Sequence, residues 1–233
     1  MTMSRRIRAD YQKLIDFFEG YALGKFEEDQ KIDCKALHKK LFALMVFVSD
    51  DAIEFSRIQP GCQYLYETVS DAMLSIFCWA NGTYKSSKLH LRCMIENLLK
   101  ALLSKTNPEV IYEKKVYAIF DMAKADIHFK SLVGIDILSK LKNNYAILCE
   151  TVHSVPEENV PINALKHLPT FDIEKSNQYV ELYLSSINAI LEILYLNYYE
   201  PIHKMHPENC QDFLSCLSPT QKRRISDTLF PPT

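Results

Sequence analysis

The sequence predicts an all-α fold, a helical bundle with a C-terminal helical extension. Apolar residues recur at intervals of three and four along most of the chain, which is typical of amphipathic helices. Only five of the 233 residues are glycine, and no strong strand pattern occurs. No composition shift divides the chain, so we expect a single helical domain over residues 1–233, with a core bundle over 1–203 and an extension over 204–233.

Periodicity and break signals define the elements of the first half. Asp33 is a plausible N-cap, Gln59-Pro60-Gly61 is a break, and Asn81-Gly82 ends a helix. The predicted helices are 6–24, 33–57, a third that ends at Trp79, and 83–105.

The second half divides in the same way. Pro108 can begin a helix and Asp172 can cap one, whereas three prolines favour a non-helical segment between residues 154 and 171. The predicted helices are 108–125, 135–153, a long one from Asp172 to near Pro201, and a last one that begins at Ser218-Pro219-Thr220-Gln221.

Two charged residues, Arg92 and Glu96, lie inside the apolar run 89–103 of the fourth predicted helix. Residues four apart share a helix face, so the two charges can meet. Charged side chains are rarely buried without a partner, and a buried ion pair is weak evidence for stability. The pair therefore serves either to fix the packing of the bundle or to position a ligand.

Neighbouring residues extend this candidate site. His90 and Asn97 form an adjacent row on the same helix, and Tyr145, Cys149 and His153 share one face of the sixth. His153 ends the predicted sixth helix, and a histidine at a helix C-terminus is stabilised in its charged form and can transfer protons. We expect His90, Asn97 and Tyr145 to contact a substrate beside His153.

Two short motifs, "LHLRCMIENLLKALL" and "NYAILCETVHS", resemble those of HEPN-like helical proteins of bacterial phage defence, abortive infection and toxin–antitoxin loci. The resemblance covers about residues 64–154. It implies a metal-independent ribonuclease without cofactor, in which His153 transfers the proton, Arg92 holds the phosphate and Glu96 orients either residue. Active HEPN ribonucleases place Arg and His in one Arg-x4-6-His motif, which this chain lacks, so its site would join two helices.

A second class of function is also open to the sequence, and the absence of the Arg-x4-6-His motif favours it. Arg92 and Glu96 can form a structural ion pair and His153 can simply end its helix. The chain would then be a non-catalytic sensor, regulatory or adaptor subunit. In either case we expect a homodimer, and a partner protein from a defence operon or an RNA is consistent with the resemblance.

The bulk properties exclude other classes. A net charge of -2 gives no overall attraction for nucleic acid, and neither GxGxxG nor GxxxxGK[ST] occurs. No apolar run reaches the roughly 18 residues that span a bilayer, so we expect a cytoplasmic protein without a membrane partner. The seven cysteines, odd in number and without CxxC, indicate reduced thiols.

Two further groups could bind ligands. His203, His206, Cys210 and Cys216 are all zinc-ligand types, but their spacing matches no established zinc motif, so we expect no metal. The basic clusters Arg5-Arg6-Arg8 and Lys222-Arg223-Arg224 could contact phosphate, although solvated helix surface explains them equally well.

Overall fold

The computed structural model describes residues 4–20, 28–53, 61–152 and 171–231, and all regular structure within these ranges is helical. Two short 3-10 turns, Pro108–Tyr112 and Ile127–Phe129, flank the fifth helix. The α-helices are α1 Arg5–Gly20, α2 Glu28–Ser49, α3 Cys62–Ala80, α4 Tyr84–Leu103, α5 Val116–Ala125, α6 Leu132–Val152, α7 Ile173–Asn197, α8 Tyr199–His203, α9 Pro207–Leu214 and α10 Pro219–Leu229.

Helix α7 forms the centre of the bundle and packs against α2, α4 and α6. Its length and composition would suffice to cross a membrane, but 78% of its most apolar window is buried inside the protein. Burial of this extent is that of a core helix, and no other described helix meets the length and composition criteria. As predicted, the side chain of Asp172 caps this helix by accepting a hydrogen bond from the backbone N–H of Lys175.

Helices α3 and α4 form an antiparallel hairpin around the predicted Asn81-Gly82 stop. Gly82 has a φ of 69°, a left-handed conformation that favours glycine and ends the helix. Trp79 of α3 is fully buried, and its ring N–H donates a 2.8 Å hydrogen bond to Ser176 of α7. The hairpin is thereby joined to the central helix by a satisfied polar contact as well as by apolar packing.

Two predicted helix boundaries were wrong at α2. The helix begins at Glu28, so Asp33 lies inside it, and it ends at Ser49 instead of continuing to residue 57. It ends early because Asp50 turns back to accept the backbone N–H of Ala52. Residues 21–27 and 54–60, which include the rest of the first predicted helix, lie outside the described residues.

The predicted helix 108–125 is in fact two elements. Glu113 has extended backbone (ψ 127°) and accepts the backbone N–H of Lys115 through its side chain, which separates the 3-10 turn from α5. Helix α6 begins at Leu132, three residues before the predicted start, because Ser131 accepts the N–H of Gly134. The predicted non-helical segment lies almost wholly in residues 153–170, outside the described part of the chain.

The C-terminal extension is packed on the bundle through both ends of α9. Asp50 accepts hydrogen bonds from the His206 backbone N–H (3.0 Å) and the Asn209 side chain (2.6 Å) at the N-terminus of this helix. At its other end Lys39 and Lys40 of α2 donate to backbone carbonyls. An anion at the N-terminus and cations at the C-terminus both complement the helix dipole.

Helix α10 begins at the predicted start signal, where Ser218 and Gln221 exchange hydrogen bonds in a capping box. Arg224 then donates to buried Glu192 of α7 (2.5 Å) and to Asp136 of α6 (2.7 Å). Arg224, a member of the predicted basic cluster, therefore binds carboxylates of the protein itself. The all-α fold class, a bundle with a helical extension, is confirmed.

Candidate functional site

The predicted site residues of α4 divide between two neighbouring helices. Arg92 and Glu96 meet Tyr145 of α6, whereas His90 and Asn97 meet Asp71 of α3. The two rows lie on different sides of α4. Arg92 and Glu96 are four residues apart and share a face, whereas His90 is two residues from Arg92 and points elsewhere. The structure therefore brings the predicted residues into two polar clusters beside each other.

The first cluster is centred on Glu96. Its Oε1 lies 3.2 Å from Nε of Arg92 and accepts a 2.5 Å hydrogen bond from the Tyr145 hydroxyl. The guanidinium carbon of Arg92 lies 5.7 Å from the centre of the Tyr145 ring, within cation–π distance. The side chains of Arg92 and Glu96 are only 24% and 21% exposed. All three groups are thus engaged with one another across the α4–α6 seam.

Electrostatics confirm this mutual dependence. Burial and the hydrogen bond to Glu96 raise the pKa of the Tyr145 hydroxyl far above its ordinary value, so it remains a donor. Burial alone would lower the pKa of Arg92, but Tyr145 and Glu96 outweigh it and raise the pKa. Although Nε of Arg92 is close to Glu96, its N–H is misaligned and makes no hydrogen bond to a described residue. The Arg92–Glu96 contact is an ion pair more than a hydrogen bond.

The second cluster is centred on Asp71, a residue that the sequence interpretation missed. One carboxylate oxygen lies 3.0 Å from Nδ1 of His90, and the other accepts a 2.8 Å hydrogen bond from the Asn97 amide. Asp71 is 9% exposed and belongs to the buried face of helix α3. A lone acidic residue between Val69 and Ala72 was the available signal, because a carboxylate facing a core needs partners.

Cys93 lies between the two clusters on α4. Burial, followed by Asp71 and Glu96, raises the pKa of its thiol to about 11, against the opposing effect of Arg92. The thiol is therefore protonated at neutral pH and is a poor nucleophile. All seven cysteines are free thiols, as predicted.

The remaining predicted catalytic residue, His153, lies outside the described residues. Its predicted helix is present up to Val152, and Cys149, one turn after Tyr145, lies close enough to Arg92 to raise the pKa of the guanidinium. The predicted face of α6 thus adjoins Arg92 at two of its three positions.

The alternative zinc ligands contact other parts of the protein. The His203 ring packs against Tyr199 with centroids 4.5 Å apart, and the Cys216 thiol donates to the Lys39 carbonyl (3.3 Å). The backbone N–H of His206 donates to Asp50. Among the described residues, which include all four candidates with Cys210, no three His, Cys, Asp or Glu side chains are grouped as metal ligands would be.

No protein-family model matches the sequence, and no curated protein or solved structure matches the chain. The HEPN-like resemblance stays a prediction.

Proposed function

We propose that the chain is a HEPN-like helical protein of a prokaryotic defence or toxin–antitoxin system, and that it acts there as a non-catalytic interaction module. The resemblance of residues 64–154 supports the family. One observation of the structure favours the non-catalytic role. Arg92, which a ribonuclease would use to hold phosphate, is three-quarters buried and already engaged by Glu96 and Tyr145.

The charge around Arg92 points the same way. A phosphodiester would have to displace the carboxylate of Glu96 from Arg92. With Glu96 in place the two side-chain charges cancel, so the pair by itself offers a polyanion no net attraction. Stabilisation of a phosphorane-like transition state requires a positive field. The polar clusters are therefore suited to fixing how α4 packs on α3 and α6.

An interaction module needs a contact surface, and the α5–α6 junction offers one. Three aliphatic side chains there are mostly exposed: Ile127 (69%), Leu132 (87%) and Ile135 (54%). Leu132 and Ile135 are one turn apart on α6, and Ile127 lies in the 3-10 turn before it. Contiguous exposed apolar surface marks interaction sites. We propose that a second copy of the chain covers them, in a cytoplasmic homodimer that binds a partner protein of the same operon and no membrane.

Sedimentation equilibrium tests the dimer. Wild type is expected to sediment as a dimer, and Leu132→Asp with Ile135→Asp as a folded monomer. Ile32→Asp, at a position 68% exposed on α2, is the matched control and should leave the dimer intact. A monomeric wild type, or a dimer that survives the double substitution, would refute the proposed interface.

A ribonuclease is the second candidate, because Tyr145 and Cys149 adjoin Arg92 and His153 follows four residues later. Purified protein is incubated with end-labelled single-stranded RNA in EDTA. We expect no cleavage above that of an Arg92→Gln variant. Cleavage that disappears in Arg92→Gln and His153→Ala, but persists in the control His206→Ala, would replace the non-catalytic role with the enzyme.

A further inference from the structure

A cavity of about 530 Å³ lies between α1, α2 and α3. Its walls are mainly apolar and include Leu14 of α1, Met45 of α2, and Met73 and Phe77 of α3. This volume falls within the range of small-molecule sites, which are typically apolar with few polar groups. Methionine side chains adapt their shape, so two of them suit a wall that receives a ligand.

One buried polar side chain, His38, also lines this cavity. The side chain is 0% exposed, and its ring packs against Tyr11 and Phe42 with centroids 5.6 and 6.1 Å apart. Its Nε2 lies 2.9 Å from a carboxylate oxygen of Asp10. Its Nδ1 is buried and has no hydrogen-bond partner among the described residues. A buried polar atom without a partner is rare in a native protein and calls for an explanation.

The environment of His38 decides whether Nδ1 is a hydrogen-bond donor or an acceptor. Burial lowers the pKa of His38, while Asp10 opposes the effect only in part, so the imidazole is neutral at neutral pH. A neutral imidazole has one N–H and one lone pair. Because the Asp10 carboxylate accepts from Nε2, the N–H is on Nε2 and the lone pair is on Nδ1. The unpartnered atom is thus a buried hydrogen-bond acceptor on a residue that lines a mainly apolar cavity.

We propose that this cavity binds a small apolar molecule that carries a single hydrogen-bond donor, such as a phenolic or alcoholic hydroxyl, and that the donor pairs with Nδ1 of His38. The apolar body displaces water from the methionine and phenylalanine walls. The hydroxyl satisfies the one acceptor that the fold leaves unpaired. This binding site is independent of the interaction role proposed above.

Two matched probes test the proposal on the full-length protein. 4-Butylphenol has the required donor, whereas 4-butylanisole has the same body but a methyl ether that cannot donate. Binding is followed by NMR with ¹³C-methyl methionine. Met45 and Met73 line the cavity, and Met94 and Met205, both buried elsewhere, are internal controls.

We expect 4-butylphenol to shift the Met45 and Met73 signals selectively and to bind about five-fold more tightly than 4-butylanisole, since one neutral hydrogen bond distinguishes them. His38→Phe keeps an aromatic ring but removes the acceptor, so the two probes should then bind equally. Met73→Trp fills the cavity and should abolish binding of both.

Three outcomes would overturn the proposal. The Met45 and Met73 signals could fail to shift, or they could shift as much in a folded Met73→Trp variant. Equal affinity of the two probes for wild type would mean that water satisfies Nδ1 as well as a ligand does. This comparison needs only wild type, so the proposal remains testable if His38→Phe does not fold.

Discussion

Removal of one oxygen atom, by Tyr145→Phe, tests the polar cluster at the α4–α6 seam. The variant keeps the ring, its edge contact with Phe120 and its position beside Arg92, but loses the 2.5 Å hydrogen bond to Glu96. A hydrogen bond to a charged acceptor contributes about 1.5–3 kcal/mol. Glu96 is 21% exposed, so water partly replaces the lost donor and the lower end of that range applies.

We therefore expect the free energy of unfolding to fall by about 1.5 kcal/mol, with a decrease in Tm of about 3–6 °C for a chain of this size. Urea unfolding followed by circular dichroism measures the free energy, and the m-value should not change. Tyr117→Phe is the matched control, because Tyr117 is 63% exposed and should cost less than about 0.5 kcal/mol.

A double-mutant cycle with Glu96→Ala isolates the pairwise contribution. If the hydroxyl acts through Glu96, Tyr145→Phe should cost at least about 1 kcal/mol less in the Glu96→Ala background than in wild type. Equal losses for Tyr145→Phe and Tyr117→Phe, or additive losses in the cycle, would refute the role of this cluster in the seam.

Three further substitutions test other contacts that hold the helices in place, and urea unfolding measures the effect of each. Burial tends to raise the pKa of Asp50, but hydrogen bonds at the start of α9 outweigh it and lower the pKa. Its stabilising effect is therefore present above the unfolded-state value of about 3.9 and is lost at lower pH, so Asp50→Ala should cost about 2 kcal/mol at pH 7 and progressively less below about pH 4. A pH-independent difference would contradict this assignment. Arg224→Ala leaves buried Glu192 without its cation and with only the Gln221 hydrogen bond, and should cost about 2 kcal/mol. Arg223→Ala, whose side chain is 85% exposed, should cost less than about 0.5 kcal/mol, and equal costs would contradict the network. Gly134→Ala places a Cβ 2.9 Å from the backbone of Phe129, which cannot move aside, and should cost about 1–3 kcal/mol; a neutral result would show that the turn before α6 adapts.

The fold class and most helix starts could be predicted because the signals are local. Asp172 and Ser218 cap helices whose apolar periodicity follows at once, and Asn81-Gly82 ends one by backbone conformation. Helix α2 was misplaced because its end depends on Asp50, whose carboxylate serves a helix more than 150 residues away. The break at Glu113 depends on a side chain that accepts a nearby backbone N–H, which periodicity does not record.

In the candidate site, too, contacts within one helix could be predicted and contacts between helices could not. The Arg92–Glu96 pair followed from i,i+4 spacing on one helix. The separate row of His90 and Asn97 also followed from spacing, but their common partner Asp71 was missed because it is on another helix. The cavity beside His38 has no sequence signature at all, since its walls come from three helices.

By itself the sequence determined that this protein is an all-α bundle, that its cysteines are unpaired, and that Arg92 and Glu96 lie side by side. Each of these depends on composition or on residues within one or two helical turns. Only the tertiary structure decided that Tyr145 binds Glu96, that Asp71 binds His90 and Asn97, and that His38 keeps a buried acceptor unpaired. Helix packing brings residues together that are far apart in the chain, and the balance of burial and hydrogen bonding at those contacts determines which polar groups remain free to act.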